Sequence, residues 1–387
     1  MGKNCDIIVV NEISMREGAG GYMFNEPKIK EKIIDTHLHI EAWKNEEIGS
    51  FIDAFEPYRE GMDLNAINIC SLNNHGSGIA NNIMIALYKI AHPNTFAHGC
   101  LHHISYPFTE DVPKGMELIT QYEEIMDMGF DGIKLIEGKP TRLKMLGGTL
   151  LFPTLDEVFD KMEKDGTHIV FHVNDPDEFW DAELAPPVAF EQGWFYGDGT
   201  YPNCKVVDKE IETILDKYPQ LNVTFAHFFF YAKYPDKLEE MFNKYKNMAV
   251  DITPGTEMYF AFEDNHDFYV DFFKRNSKRI MVGTDGTFPW ESKGHAWCID
   301  RLYNFIATDK VQMAFDDRML SGLNLQGEDK ENILFANFER RVGEKPREIN
   351  KEKLLAYFEK YKGLLEDGEL EVGKKYVFLV LALQIKT

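Results

Sequence analysis

The chain has 387 residues, of which 44% are hydrophobic, so it can bury a sizeable core and does not read as a disordered polypeptide. Its formal net charge of −22, from 64 acidic and 42 basic residues, repels phosphate backbones and makes nucleic acid an unexpected partner. An anionic small molecule is not excluded, because a metal ion or one arginine can dominate a local site.

The N-terminal stretch, residues 1–32, precedes the first strand-like run and contains REGAGGY; it is expected to pack as an extension on the main domain. From there the chain alternates short apolar runs with amphipathic stretches. The runs are IIDTHLHI (33–40), AINICSL (66–72), TFAHGCLHH (95–103), DGIKLIE (131–137), HIVFHVN (168–174), NVTFAHFFF (222–230), MAVDITP (248–254) and RIMVGTDGT (279–287). They are rich in Ile, Val and Phe and end in polar residues or Gly, as buried parallel strands do.

Helical spacing lies between them. Residues 115–129 put Leu118, Tyr122, Ile125 and Met126 on one face and stop at Gly129. Residues 152–166 offer Thr154 as an N-cap, with Glu157 three residues on, and Gly166 as the stop. Residues 207–219 space Ile211, Ile214 and Leu215 helically and end at a proline. Eight strands alternating with helices predict an α/β fold, a (β/α)8 TIM barrel over 33–345; a doubly wound open sheet is the structural alternative.

Two later stretches break the rhythm. Residues 175–206 lack clear periodicity and carry Trp180, Trp194, Phe195, Tyr196 and Tyr201, too many aromatics for a disordered segment. Residues 346–387 hold a charged helix and an apolar tail, YVFLVLALQI (376–385), too short to span a bilayer and expected to pack on the barrel. No secretory leader is visible at the start. The five cysteines, Cys5, Cys70, Cys100, Cys204 and Cys298, contain no C-x-x-C pair. That pattern points to a reducing, cytoplasmic setting.

In such a barrel the active site lies at the C-terminal ends of the strands. The chemistry-bearing residues there are His37 and His39 (first strand), His102 and His103 (third), Lys134 and Glu137 (fourth), His172 (fifth), His227 (sixth) and Asp285 (eighth). Residues i and i+2 of a strand share a face, so His37 and His39 can hold one ion at ~2.1 Å. His172 and Asp285 would close the shell from across the barrel. Three nitrogens and a carboxylate suit one Zn2+, with Mn2+, Fe2+ or Ni2+ also compatible. Taken singly, each of these residues reads equally well as an ordinary core, turn or ion-pair residue; their joint order along the chain is what carries the reading.

Those motifs, IIDTHLHI, GFDGIKL, HIVFHVND, NVTFAHF, MAVDIT, IMVGTDG and NILFANFERRV, resemble the amidohydrolase superfamily from about Ile33 to Val342. The nearest likeness is to the amidohydrolase 2 branch of metal-dependent hydrolases, which also contains decarboxylases of small carboxylated substrates. The resemblance implies His37, His39, His172 and Asp285 as metal ligands. It implies His227 as a catalytic histidine or a ligand of a second metal, and Asp285 as the acceptor of the water proton. Lys134 would be a plain amine beside one metal or a carboxylated lysine bridging two. The substrate is expected to meet Arg142, as a carboxylate fork, together with His103, Trp180, Trp194 and Tyr196. The leading expectation is hydrolysis of an amide, lactone or ester carbonyl. Metal-dependent decarboxylation of a small aromatic or unsaturated acid is the second, and a non-catalytic metal-binding barrel the third. The expected partners are a small-molecule substrate and a second copy of the chain; neither nucleic acid nor membrane is expected.

Overall fold

The computed structural model describes residues 29, 31–40, 66–73, 78–103, 114–255, 257–288, 292–314 and 318–367. Most of the N-terminal extension, Cys5 and the apolar tail at 376–385 lie outside them. Nine parallel-paired strands follow one another around a single sheet: β1 (Ile34–Ile40), β2 (Ala66–Cys70), β3 (Thr95–Gly99), β4 (Gly132–Gly138), β5 (His168–Val173), β6 (Val223–Phe225), β7 (Met248–Asp251), β8 (Ile280–Met281) and β9 (Gly286–Phe288). β8 pairs with β7 and β9 pairs with β1. Only residues 282–285 separate β8 from β9, so the two are halves of one interrupted eighth strand. Val282 and Asp285 bridge the interruption: Thr36 N donates to Val282 O at 3.1 Å and Asp285 N to His37 O at 2.8 Å. The sheet therefore closes on itself as the expected (β/α)8 barrel, and the open-sheet alternative falls.

Strands β2 to β8 are buried on both faces, because helices cover them outside and side chains fill them inside. The helix at Pro153–Asp165 shows how the outer layer forms. Leu155, Val158, Phe159 and Met162 recur at helical spacing and all are buried. Gly166 ends it in the left-handed region (φ 69°), a conformation that costs glycine nothing. Its start corrects the sequence reading: Phe152 occupies the cap position without a side-chain cap, and Pro153 begins the helix. Proline is pre-set for that first position and lacks the N–H a cap would satisfy, so Thr154 is drawn into the first turn. The helix expected from Val207 starts earlier, at Cys204, capped by Asn203 accepting from Lys205 N. Residues 175–206 are also more ordered than their pattern suggested, with a 3-10 turn at Asp177–Trp180 and a short helix at Pro187–Glu191.

Inside, the barrel fills in layers. Ile34, Ala66, Phe96, Ala249 and Met281 form an apolar floor with Phe338, from the short helix Asn337–Val342, packed into it. Above it Asn68, His98, His168 and Thr224 make a hydrogen-bonded layer. The fully buried Lys134 lies near the mouth. The C-terminal helix Lys351–Asp367 buries Leu354, Tyr357, Phe358 and Tyr361, and Tyr361 OH donates to Glu124 on the neighbouring helix at 2.9 Å. Among the described residues Cys70, Cys100, Cys204 and Cys298 are free and buried, and no helix is long and apolar enough to cross a membrane.

Candidate metal centre

β1 delivers its two histidines to one point. His37 Nε2 and His39 Nε2 are 3.1 Å apart, with their rings edge to face. Asp285 comes from the break between β8 and β9. Its Oδ1 lies 2.9 Å from His39 Nε2 and 3.4 Å from His37 Nε2. Ligand atoms of these three residues all fall within 4.8 Å of one another.

The opposite ring nitrogens decide what this convergence means. His37 Nδ1 faces Asp251 Oδ2 at 2.9 Å, and His39 Nδ1 faces the Cys70 carbonyl at 2.7 Å. Both partners can only accept, so both Nδ1 atoms carry hydrogen, and each ring in its neutral form presents an Nε2 lone pair. Two lone pairs and a carboxylate oxygen therefore meet with no hydrogen of their own between them; Lys134 Nζ, 2.8 Å from His37 Nε2, supplies a hydrogen to one of them, and a bound cation would relieve the repulsion between His39 Nε2 and Asp285 Oδ1. The donor set, two imidazoles and a carboxylate with buried second partners, fits a divalent ion such as Zn2+. Burial, with the neighbouring Lys134 charge, pushes His37 down to about 4, so its ring stays neutral and available. Asp285 is held well below the usual carboxylate range, against its burial, by its close approach to His39 and by His227 and His37 around it.

The backbone around the cluster is held in unusual shapes. Asp285 has φ 53°, and Asn174, after β5, has φ 62°. His227, Phe228, Phe229 and Phe230, after β6, form a left-handed turn with φ between 54° and 57°. Each such residue costs about 1–2 kcal/mol, a strain that accumulates at functional sites. The turn carries His227 to the mouth, where its Nε2 lies 3.7 Å from Asp285 Oδ2 and its ring stacks on Phe230. Gly283 permits the close approach of the eighth strand to the first. A Cβ there would lie 2.7 Å from His37 Cβ.

Asp251, at the end of β7, ties the site together. Besides His37 it accepts from His227 N at 2.9 Å and from Thr253 Oγ1 at 2.5 Å, and the His37 interactions overcome burial to bring it down to about 2. Thr253 Oγ1 spends its hydrogen on Asp251, so His227 Nδ1, 3.1 Å from that oxygen and 3.3 Å from Thr253 O, is the donor. His227 Nε2 is then a lone pair facing the pocket, on a ring that burial holds neutral at about 4. Asp35 lies beneath, accepting from Thr284 Oγ1 at 2.7 Å and lifted by burial to about 7.

The remaining sequence candidates divide. Lys134 joins the cluster, with Nζ 2.8 Å from His37 Nε2. His172 lines the same pocket but is not in the three-residue group. Its Nε2 donates to Asn174 O at 2.9 Å, and its ring meets His227 edge on. His103 turns to Glu137 at 2.7 Å. Arg142 sits on a short helix against Met145, Trp180 Nε1 donates to Pro202 O, and Tyr196 OH donates to Asp175 Oδ2 at 2.5 Å. Among the described residues, the pocket wall contains none of Arg142, His103, Trp180, Trp194 or Tyr196. Leu72, Ile136, Phe230 and Pro254 line it instead, together with Lys139 and Asp175. The cleft is open at its mouth, with a cavity volume of about 50 Å³. Sequence reasoning missed Asp251, Lys139 and Asp175, although Asp251 and Asp175 sit at or just past strand ends, the rule that selected the others.

No protein-family model and no curated protein matches the chain. Several solved structures are similar to it. An amidohydrolase from Burkholderia multivorans with bound zinc is 10% identical, with 82% of this chain and 100% of that one covered and a TM-score of 0.48. A probable 2-pyrone-4,6-dicarboxylic acid hydrolase from Acinetobacter baumannii is 13% identical, covering 80% and 99%, TM-score 0.44. IDCase from Metarhizium anisopliae is 14% identical, covering 80% and 97%, TM-score 0.46. Amidohydrolase-type TIM-barrel proteins are thus among the structures that this chain is similar to.

Proposed function

We propose that this chain is a metal-dependent hydrolase of the amidohydrolase type, cleaving an amide, lactone or ester carbonyl of a small molecule. One observation carries the reading: two neutral histidine lone pairs and an ionised aspartate converge on one point at the mouth of a barrel, each ring fixed from behind. His37, His39 and Asp285 would hold the ion, with Lys134 and His172 beside it. When bound, a divalent ion supplies Lewis acidity, lowering the pKa of water and polarising a carbonyl.

The chain's own residues divide the proton work. Asp285 Oδ1 is turned toward His37 and His39, where it would help hold the ion, so Oδ2 is the oxygen that takes the proton of the attacking water. His227 Nε2 faces that oxygen and, with its lone pair, receives the proton next. As imidazolium it returns the proton to the leaving group, acting as base and then acid. In this tautomer His227 does not donate to a developing oxyanion. Lys134 Nζ, which reaches the cluster, is the residue proposed for that task. Phe230, Leu72 and Pro254 exclude water around the reacting carbonyl.

The test is an assay of the metal-loaded chain on a panel of lactones, esters and anilides, alongside carboxylated aromatics. Acid release by pH-stat with incorporation of labelled water is the expected outcome. Release of CO2 without incorporation of water would replace hydrolysis by decarboxylation.

A further inference from the structure

The pocket has a second pole, away from the histidine cluster. Lys139 follows β4 and lines the pocket with its side chain 14% exposed. Asp175, just past β5, accepts from Lys139 Nζ at 2.9 Å and is itself 2% exposed. The other oxygen of Asp175 accepts from Tyr196 OH. Lys139 Nζ also sits 5.0 Å above the Trp194 ring. Trp194 and Tyr196 belong to a separate buried cluster with Phe179 and Ala189, built entirely from the long segment after β5. That segment therefore does one identifiable thing at the site: it holds an ammonium group at the pocket wall from two sides, by a hydrogen-bonded carboxylate and by an aromatic face.

An ammonium is costly to hold in a mostly apolar wall, and its Asp175 partner alone would neutralise it more cheaply at the surface. Asp175 Oδ1 takes one of the three Nζ hydrogens of Lys139, so the ammonium on the pocket wall keeps hydrogens to give to a ligand. From this juxtaposition we infer that Lys139 is a specificity-determining residue: it receives a carboxylate on the substrate, at a position distinct from the carbonyl held at the histidine cluster. The inference rests on the proposed hydrolase site and names its substrate class, a small carboxylic acid with a second, reacting carbonyl group. The residue concerned is Lys139, not Arg142, which the pocket wall does not include.

The test uses isothermal titration of the full, metal-loaded chain with two probes of one shape, 3-carbamoylbenzoate, which carries one carboxylate and one amide carbonyl, and isophthalamide, which carries no carboxylate. The wild-type chain is expected to prefer 3-carbamoylbenzoate by at least tenfold. Lys139→Met removes that preference, while Lys139→Arg keeps most of it, both at unchanged metal content. A Lys139→Met chain that keeps the preference overturns the inference. So does a wild-type chain with no preference, including one that binds neither probe. Metal content and hydrolysis are read separately. Loss of hydrolysis with the preference intact removes the proposed reaction and leaves Lys139 standing.

Discussion

Two histidine pairs sit inside this barrel, and they are not equivalent. His98 and His168, low in the barrel, are 2.8 Å apart, closer than His37 and His39 at the mouth. Yet the lower pair is a satisfied chain. Asn68 gives its amide hydrogens to the Thr36 carbonyl and to Cys70, so its Oδ1 accepts from His98 Nδ1. His98 Nε2 then accepts from His168 Nδ1, and His168 Nε2 accepts from Thr224 Oγ1. Every ring donates once and accepts once, and no cation is called for. At the mouth both Nδ1 atoms are committed to acceptors, and the two lone pairs face Asp285. What makes a histidine pair a metal site is the partner of the other nitrogen, not proximity.

The comparison can be broken in order of effect. Asp285→Asn removes the anion that the upper pair faces, and turnover should fall by roughly 10²–10⁴-fold, measured as kcat with metal content monitored in parallel. Asp251→Asn leaves all three cluster residues in place but weakens the grip on His37 Nδ1–H. Metal affinity should drop by about 10–100-fold in a competition titration with a chelator. In the lower pair, His98→Leu strands Asn68 Oδ1 and His168 Nδ1. It should cost ~1–3 kcal/mol in urea unfolding and leave metal affinity untouched. A change in metal affinity as large as that of Asp251→Asn would erase the distinction between the pairs.

The lower pair also predicts an effect of pH. Burial, with the Lys89 charge nearby, pushes His98 down to about 3, and His168 lies well below its ordinary value through burial and His98. The unfolded chain binds those protons near 6.5, so it holds more protons than the folded chain between that pH and the folded values. The stability from keeping both rings neutral is thus fully present above 6.5 and is lost as pH falls below it. Each group should contribute a slope of ~1.4 kcal/mol per pH unit in that window. Urea midpoints from pH 7.5 down to 5 should show it, with a shallower slope in His98→Leu; an unchanged slope would mean that His98 does not carry it.

Much of the barrel was legible in the sequence because Ile- and Val-rich runs ending in polar residues mark buried parallel strands. The interruption of the eighth strand was not, since it depends on Gly283 and on the hydrogen bonds of Val282 and Asp285 to β1. His37 and His39 stood out because strand periodicity puts i and i+2 on one face. His172 was harder, because the turn at Asn174 bends its Nε2 to a backbone carbonyl, which no spacing rule reports. The left-handed run from His227 to Phe230 has no sequence signature, since phenylalanine has no preference for that region and tertiary packing imposes it. Lys139 was passed over for Arg142, whose guanidinium is the better carboxylate fork on paper. The aromatics after β5 read as a pocket wall, but they pack behind it and reach the pocket only through Lys139 and Asp175.

Metal titration of the metal-free chain, following proton release and stoichiometry together, tests the central claim most directly. The difference between the pairs predicts about one tightly bound divalent ion per chain, abolished in His39→Ala and retained in His168→Leu. A wild-type chain that binds no ion, with His39 as an imidazolium paired to Asp285 in its place, would contradict it, as would a His168→Leu chain that loses the ion as completely as His39→Ala.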